Sequence, residues 1–161
     1  MTDCTGVTWV DDNVYVSGYD RYGSGGEINI LDSHGSHISS ISSSSTGIDY
    51  IHHRDNHIYY TGLNIEVYCI KKDGSNLFTF SSPDFGCPRG IDTDRPGNVF
   101  VAGRNSDKIM RLSPDGQNSD IVLKQEDGIK QPQTLCFSRD FKKLFVSNEH
   151  GARVDVYDCQ Y

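Results

Sequence analysis

Apolar positions along the chain fall in runs of only a few residues, each closed by Gly, Asp, Asn, Ser or Pro. Runs of this length read as half-buried or buried β-strands, and no stretch sustains the 3.6-residue period of an amphipathic helix. Four runs align column by column: Val14-Tyr15-Val16-Ser17, Ile58-Tyr59-Tyr60-Thr61, Val99-Phe100-Val101-Ala102 and Leu144-Phe145-Val146-Ser147. Their starts lie 44, 41 and 45 residues apart. The second column is aromatic each time and the fourth is small.

A second run follows each of these: Ile28-Asn29-Ile30-Leu31, Val67-Tyr68-Cys69-Ile70, Ile109-Met110-Arg111-Leu112 and Val154-Asp155-Val156-Tyr157. In the first three copies a glycine stands seven residues after the first column (Gly35, Gly74, Gly116), twice as Asp-Gly, a tight-turn signal. A shorter run precedes each aromatic one, beginning at Gly6, Gly47, Gly90 and Gln133. An outer run follows the glycine turn at Leu77-Phe78-Thr79-Phe80 and Asp120-Ile121-Val122-Leu123, and more weakly at His37-Ile38-Ser39-Ser40-Ile41. Four short antiparallel strands per unit of about 40–45 residues predict β-propeller blades. The fold class expected is therefore all-β, with about four four-stranded blades over 6–46, 47–89, 90–132 and 133–161. A sandwich or barrel would not require the same columns in every unit.

Pro88-Arg89-Gly90-Ile91-Asp92, Gly97-Asn98-Val99-Phe100-Val101-Ala102 and Lys108-Ile109-Met110-Arg111-Leu112-Ser113-Pro114-Asp115-Gly116 closely resemble the NHL repeat. The chain is similar to the C-terminal propeller of the NHL subgroup of tripartite-motif proteins, over nearly its whole length and most strongly in the third copy. That resemblance implies a protein-binding propeller, used for substrate or cargo recruitment, and a ubiquitin-ligase context only if a RING finger is joined from elsewhere. It also raises single-stranded RNA as an alternative ligand, because some NHL propellers bind RNA. Propellers of the family usually have six blades, and the fourth copy here shows no outer run. A fragment of a larger propeller, a closed four-blade ring and pairing with another copy are the readings left open. An open arc is favoured, with self-association through its blade edges as one consequence.

Composition narrows the function classes. A formal charge of −7 argues against indiscriminate phosphate binding, although it leaves room for a local basic patch. No run is long enough for a transmembrane helix, so no membrane partner is expected. The N-terminal residues lack the pattern of a signal peptide. Five widely spaced cysteines without a C-x-x-C, and the absence of an N-x-S/T sequon, point to a cytoplasmic chain with reduced thiols. A Cys4–Cys159 bridge stays open as the exception.

Candidate chemistry is sparse. His52, His53 and His57 sit about a turn between strands, out of the helical context that aligns a zinc pair, and read as solvated. Gly23-Ser24-Gly25-Gly26-Glu27 lacks the Lys-Ser/Thr and helix of a phosphate loop. The serines at 39–45 read as a flexible linker. Asp49 and Asp92 recur at one column, as strand-end positions rather than an acid–base pair. Some six-bladed propellers are calcium-dependent hydrolases or lyases, but the small column Ser17, Thr61, Ala102 and Ser147 offers no carboxylates for such a centre. The expectation is a non-enzymatic module with no metal and no cofactor. Its partner-binding face would carry Tyr19, Arg21, Tyr22, Asn64, Arg89, Arg104, Asn105, Asn148, His150 and Arg153, where the loops before the first strand and after the second gather.

Overall fold

The computed structural model describes residues 2–20, 25–63 and 65–159, with side chains described for all of these except residues 2, 3, 19 and 20. Fifteen strands form four separate antiparallel sheets, and among the described residues the only helical turns are four short 3₁₀ turns. The chain divides into two compact units, Met1–Thr79 and Phe80–Tyr161.

The first unit holds blade 1, with strands β1 (Thr2–Val10), β2 (Asn13–Asp20), β3 (Gly26–Leu31) and β4 (His37–Ser42). It also holds most of blade 2, made of β5 (Ile48–Arg54), β6 (His57–Gly62), β7 (Glu66–Lys71) and β8 (Asn76–Ser81); β8 runs across the unit boundary. Strand side chains alternate between sheet faces, so the aligned columns separate into two sets. Tyr15, Ile28 and Ile30 of blade 1 share one core with Ile51, Ile58, Tyr60, Tyr68 and Ile70 of blade 2. The Tyr60 and Tyr68 rings stack at 4.7 Å and 12°.

The second unit holds blade 3, of β9 (Pro88–Thr93), β10 (Val99–Gly103), β11 (Lys108–Leu112) and β12 (Ser119–Leu123). Blade 4 is a three-stranded sheet of β13 (Thr134–Phe137), β14 (Lys143–Asn148) and β15 (Arg153–Asp158). Phe100, Ala102 and Ile109 of blade 3 form a core with Leu135, Leu144 and Val146 of blade 4, closed by Ile129 from the connection between them. Phe100 meets Phe137 edge to face at 4.9 Å. Exposed ion pairs such as Lys143–Asp158 add little beside this apolar burial. The glycine turns behave as their sequence suggests: Gly74 and Gly116 take φ of 86° and 71°, a region that favours glycine.

Three sequence readings are corrected. The first strand starts at Thr2 rather than Gly6, with a register shift between Cys4 and Gly6 that keeps it paired to β2. The serine run is not a flexible linker: residues 39–42 belong to β4, Ser45 is buried, and the Ser45 carbonyl accepts the Gly26 N–H at 2.7 Å. Asp49 and Asp92 are not equivalent. Asp92 stands opposite Phe100, whereas the residue opposite Tyr59 in the same column is His52. A bulge between Ile48 and Tyr50 shifts β5, so counting from the leading glycine misplaces its columns. Asp92 serves as a tie between blades, accepting the Phe137 N–H at 2.7 Å.

Candidate functional site

The order of strands puts the connections β2–β3, β6–β7, β10–β11 and β14–β15 at the same end of their sheets as the links that lead into each first strand. In the second unit this end is built from three 3₁₀ turns, Arg104–Ser106, Gln125–Asp127 and Glu149–Gly151, and from Pro83–Phe85. Of the sequence-predicted residues, Arg21, Tyr22, Asn64 and the side chain of Tyr19 lie outside the described residues. The other six all fall in this unit. Arg89 is in β9, Arg104 and Asn105 are in the β10–β11 turn, Asn148 ends β14, His150 is in the next turn and Arg153 opens β15.

Asn148 is the centre of the arrangement and is fully buried. Its Nδ2 donates to the Gly128 carbonyl at 3.0 Å and to the Asp155 carboxylate, while its Oδ1 accepts the Lys130 N–H at 3.0 Å. The Lys130 carbonyl accepts the Glu149 N–H at 2.8 Å, and Asp107 Oδ1 accepts the Gln131 N–H at 2.7 Å. Three loops are thus held together by side chains that satisfy one another's backbone groups. Asn148 therefore braces these loops from within and does not stand at their surface.

Arg104 reaches His150 Nδ1 at 3.3 Å, which makes Nδ1 the accepting nitrogen of that ring. The Nε of Arg104 is buried and finds no hydrogen-bond partner among the described residues. Arg153 donates to Asp155 Oδ2 through Nε at 3.0 Å and through a terminal nitrogen at 2.9 Å, to the Gly128 carbonyl at 3.0 Å, and to Glu149 at 3.3 Å. The bonded Asp155 carboxylate raises the Arg153 guanidinium above its ordinary range, and Arg153, with the Asn148 amide, holds the Asp155 carboxyl below the usual carboxylate range.

The backbone of this end is unusual. Cys87, Asp107, Gln131, Glu149 and His150 all take positive φ, between 44° and 67°. Non-glycine residues in this region cost roughly 1–3 kcal/mol each and gather where a surface is held for a function. Asp155, Lys130 and Gly128 were not singled out from the sequence. Arg153 and Asp155 are two apart on a strand and so share a face, a signal that was available; the role of Gly128 depends on a fold-back with no local signature.

Other candidates settle as structural. His57 Nδ1 lies 3.4 Å from the Tyr59 hydroxyl and His53 Nε2 is buried, so these two rings are not simply solvated turn residues. All five cysteines are free. A concavity of about 410 Å³, lined by Phe100, Val122, Leu144, Tyr157 and Arg111 among others, lies between blades 3 and 4. Arg111 is committed there to a two-point pair with Asp120 at 2.9 and 2.8 Å.

No protein-family model matches the chain, and no curated protein matches it. Solved structures do. A chain of a nidogen/laminin complex is 23% identical with a TM-score of 0.79, the match covering 96% of this chain and 60% of that one. The β-propeller domain of Cps50 (Swd1) from Myceliophteria thermophila is 10% identical, with a TM-score of 0.75 over 99% of this chain and 52% of that one. Virginiamycin B lyase from Staphylococcus aureus, solved with quinupristin, is 15% identical, with a TM-score of 0.73 over 98% and 56%. This chain is a β-propeller of antiparallel blades that spans roughly half to three fifths of these neighbours. The fold carries both an enzyme and proteins without a stated activity, so it does not choose between them.

Proposed function

We propose that the chain is a non-catalytic, NHL-type interaction module that binds protein through the loop end of its second unit. The observation that carries this reading is the braced cluster of Arg104, Asn148, His150 and Arg153 on strained loops. Arginine is among the residue types that most often anchor protein interfaces. The likeness of 88–116 to the NHL repeat supports the same reading, with recruitment of a substrate or cargo in the cytoplasm as its context. Protein is favoured over RNA because Arg153 is already paired with Asp155 and Glu149, leaving less uncompensated charge for phosphates.

Panning a displayed library of random peptides against the chain tests the reading. Selected peptides are expected to bind Arg104→Ala and Arg153→Ala at least about tenfold more weakly than the unmodified chain. Failure to select any peptide, together with salt-dependent binding of short RNA oligonucleotides lost in Arg89→Ala and Arg104→Ala, would reverse the assignment.

A further inference from the structure

Arg104 sits on a loop that is fixed before any partner arrives. Its N–H donates to the Cys87 carbonyl at 3.1 Å, the Asn105 N–H to the Gly86 carbonyl at 2.7 Å, and Ser106 Oγ to the Phe85 carbonyl at 2.9 Å. The turn Arg104–Ser106 is thereby pinned to residues 85–87. Asp107, which ends the turn in the left-handed region, ties it to Gln131 through its carboxylate. A cation on so fixed a loop loses little further freedom on meeting a ligand.

Two other cations of this end carry their own carboxylates. Lys108 lies 3.7 Å from Asp84, and Arg153 lies 2.9 Å from Asp155 and 3.3 Å from Glu149. Among the described residues Arg104 has no ion pair. One edge of its planar head, Nε with Nη2, matches the two oxygens of a carboxylate. On that edge Nη2 meets only the neutral nitrogen His150 Nδ1, at 3.3 Å, and the buried Nε finds no acceptor among the described residues. A buried N–H of a charged group is costly to leave unmatched.

We propose that this edge of Arg104 recognises an Asp or Glu side chain of an acidic peptide, and that His150 holds its place in the free chain; the inference rests on the protein-binding reading above. His150 is suited to give way, because it is exposed and its uncharged ring makes a weaker bond to a guanidinium than a carboxylate does. The incoming carboxylate replaces the imidazole on Nη2 and supplies the acceptor that Nε lacks. The chain's own Glu149 and Asp155 are already committed to Arg153. With Asp107 they set negative charge in the adjoining loops, which a single carboxylate tolerates better than a run of phosphates does.

A double-mutant cycle on the full chain tests this. Peptides selected by panning would be made with amidated C-termini, and each Asp or Glu replaced in turn by Asn or Gln. One replacement should weaken binding to the wild-type chain at least about tenfold by fluorescence anisotropy, and change binding to Arg104→Ala less than about twofold. His150→Ala, with the placeholder gone, should bind the same peptides at least as tightly as the wild-type chain. Peptides that lose affinity for Arg104→Ala and Arg153→Ala, yet contain no carboxylate or tolerate every replacement, overturn the inference and leave the protein-binding reading standing. So does a replacement that weakens binding equally in the wild-type chain and in Arg104→Ala. Weaker binding to His150→Ala overturns the placeholder role. Failure to select any peptide overturns both readings. Arg104→Gln gives the same cycle, with outcomes read in the same way, should circular dichroism show that Arg104→Ala does not fold.

Discussion

Asp155 and Arg153 show how little separates a surface ion pair from a structural one. Their two-point bond sits on Asn148, whose amide also holds the Gly128 and Lys130 backbone groups, so the pair is tied to the loops on which the proposed face depends. The Asp155 carboxyl is held low chiefly by Arg153. A depressed folded-state pKa contributes stability that is present above the unfolded value, near about 4, and is lost as pH falls through the folded value. The urea midpoint of the wild-type chain should therefore exceed that of Asp155→Asn at neutral pH and converge on it in acid. A gap that persists unchanged below that window would show the pair to be energetically idle. From the sequence, Arg153 was legible as a candidate because of its type and its place at a strand start; the buried amide that organises it was read only as one more face residue.

Gly90 illustrates the same point for whole strands. A Cβ added there would lie 2.4 Å from Thr134 Cα and 2.7 Å from its Oγ1, and the Gly90 N–H donates to the Gln133 carbonyl at 2.9 Å. The first strands of blades 3 and 4 therefore approach at main-chain distance, and the atom in the way is backbone that cannot rotate aside. Gly90→Ala is expected to cost roughly 1–3 kcal/mol of unfolding free energy, as overpacking does, measured by denaturant titration; a loss below about 0.5 kcal/mol would show that the blades part easily. The leading glycines were visible in the sequence as a recurring feature. Their equivalence was not: Gly6 and Gly90 occupy one register position, whereas Gly47 precedes it because β5 carries a bulge and a longer path to its turn. Strand existence follows from local alternation, but register follows from hydrogen bonds between strands, which turn lengths can shift by one to three residues.

At the scale of the molecule, a charge of −7 sets the background on which the arginine cluster acts. With Arg153 and Arg111 committed to carboxylates, the chain should pass through a heparin column at physiological salt without retention. Retention that falls steeply with added salt would point instead to a polyanion ligand. The repeat of aromatic and small columns was enough to determine four blades, because each unit must bury the same alternate positions against a neighbour. The same repeat marks Arg104, His150 and Arg153 as candidates; Arg104 and His150 fall in 3₁₀ turns and Arg153 at the start of β15. It could not determine which columns face which blade, or that Asn148 braces these loops from within. Those are decided by which surfaces meet in three dimensions: an apolar residue at a given column reads the same in the chain whether a neighbouring blade covers it or not.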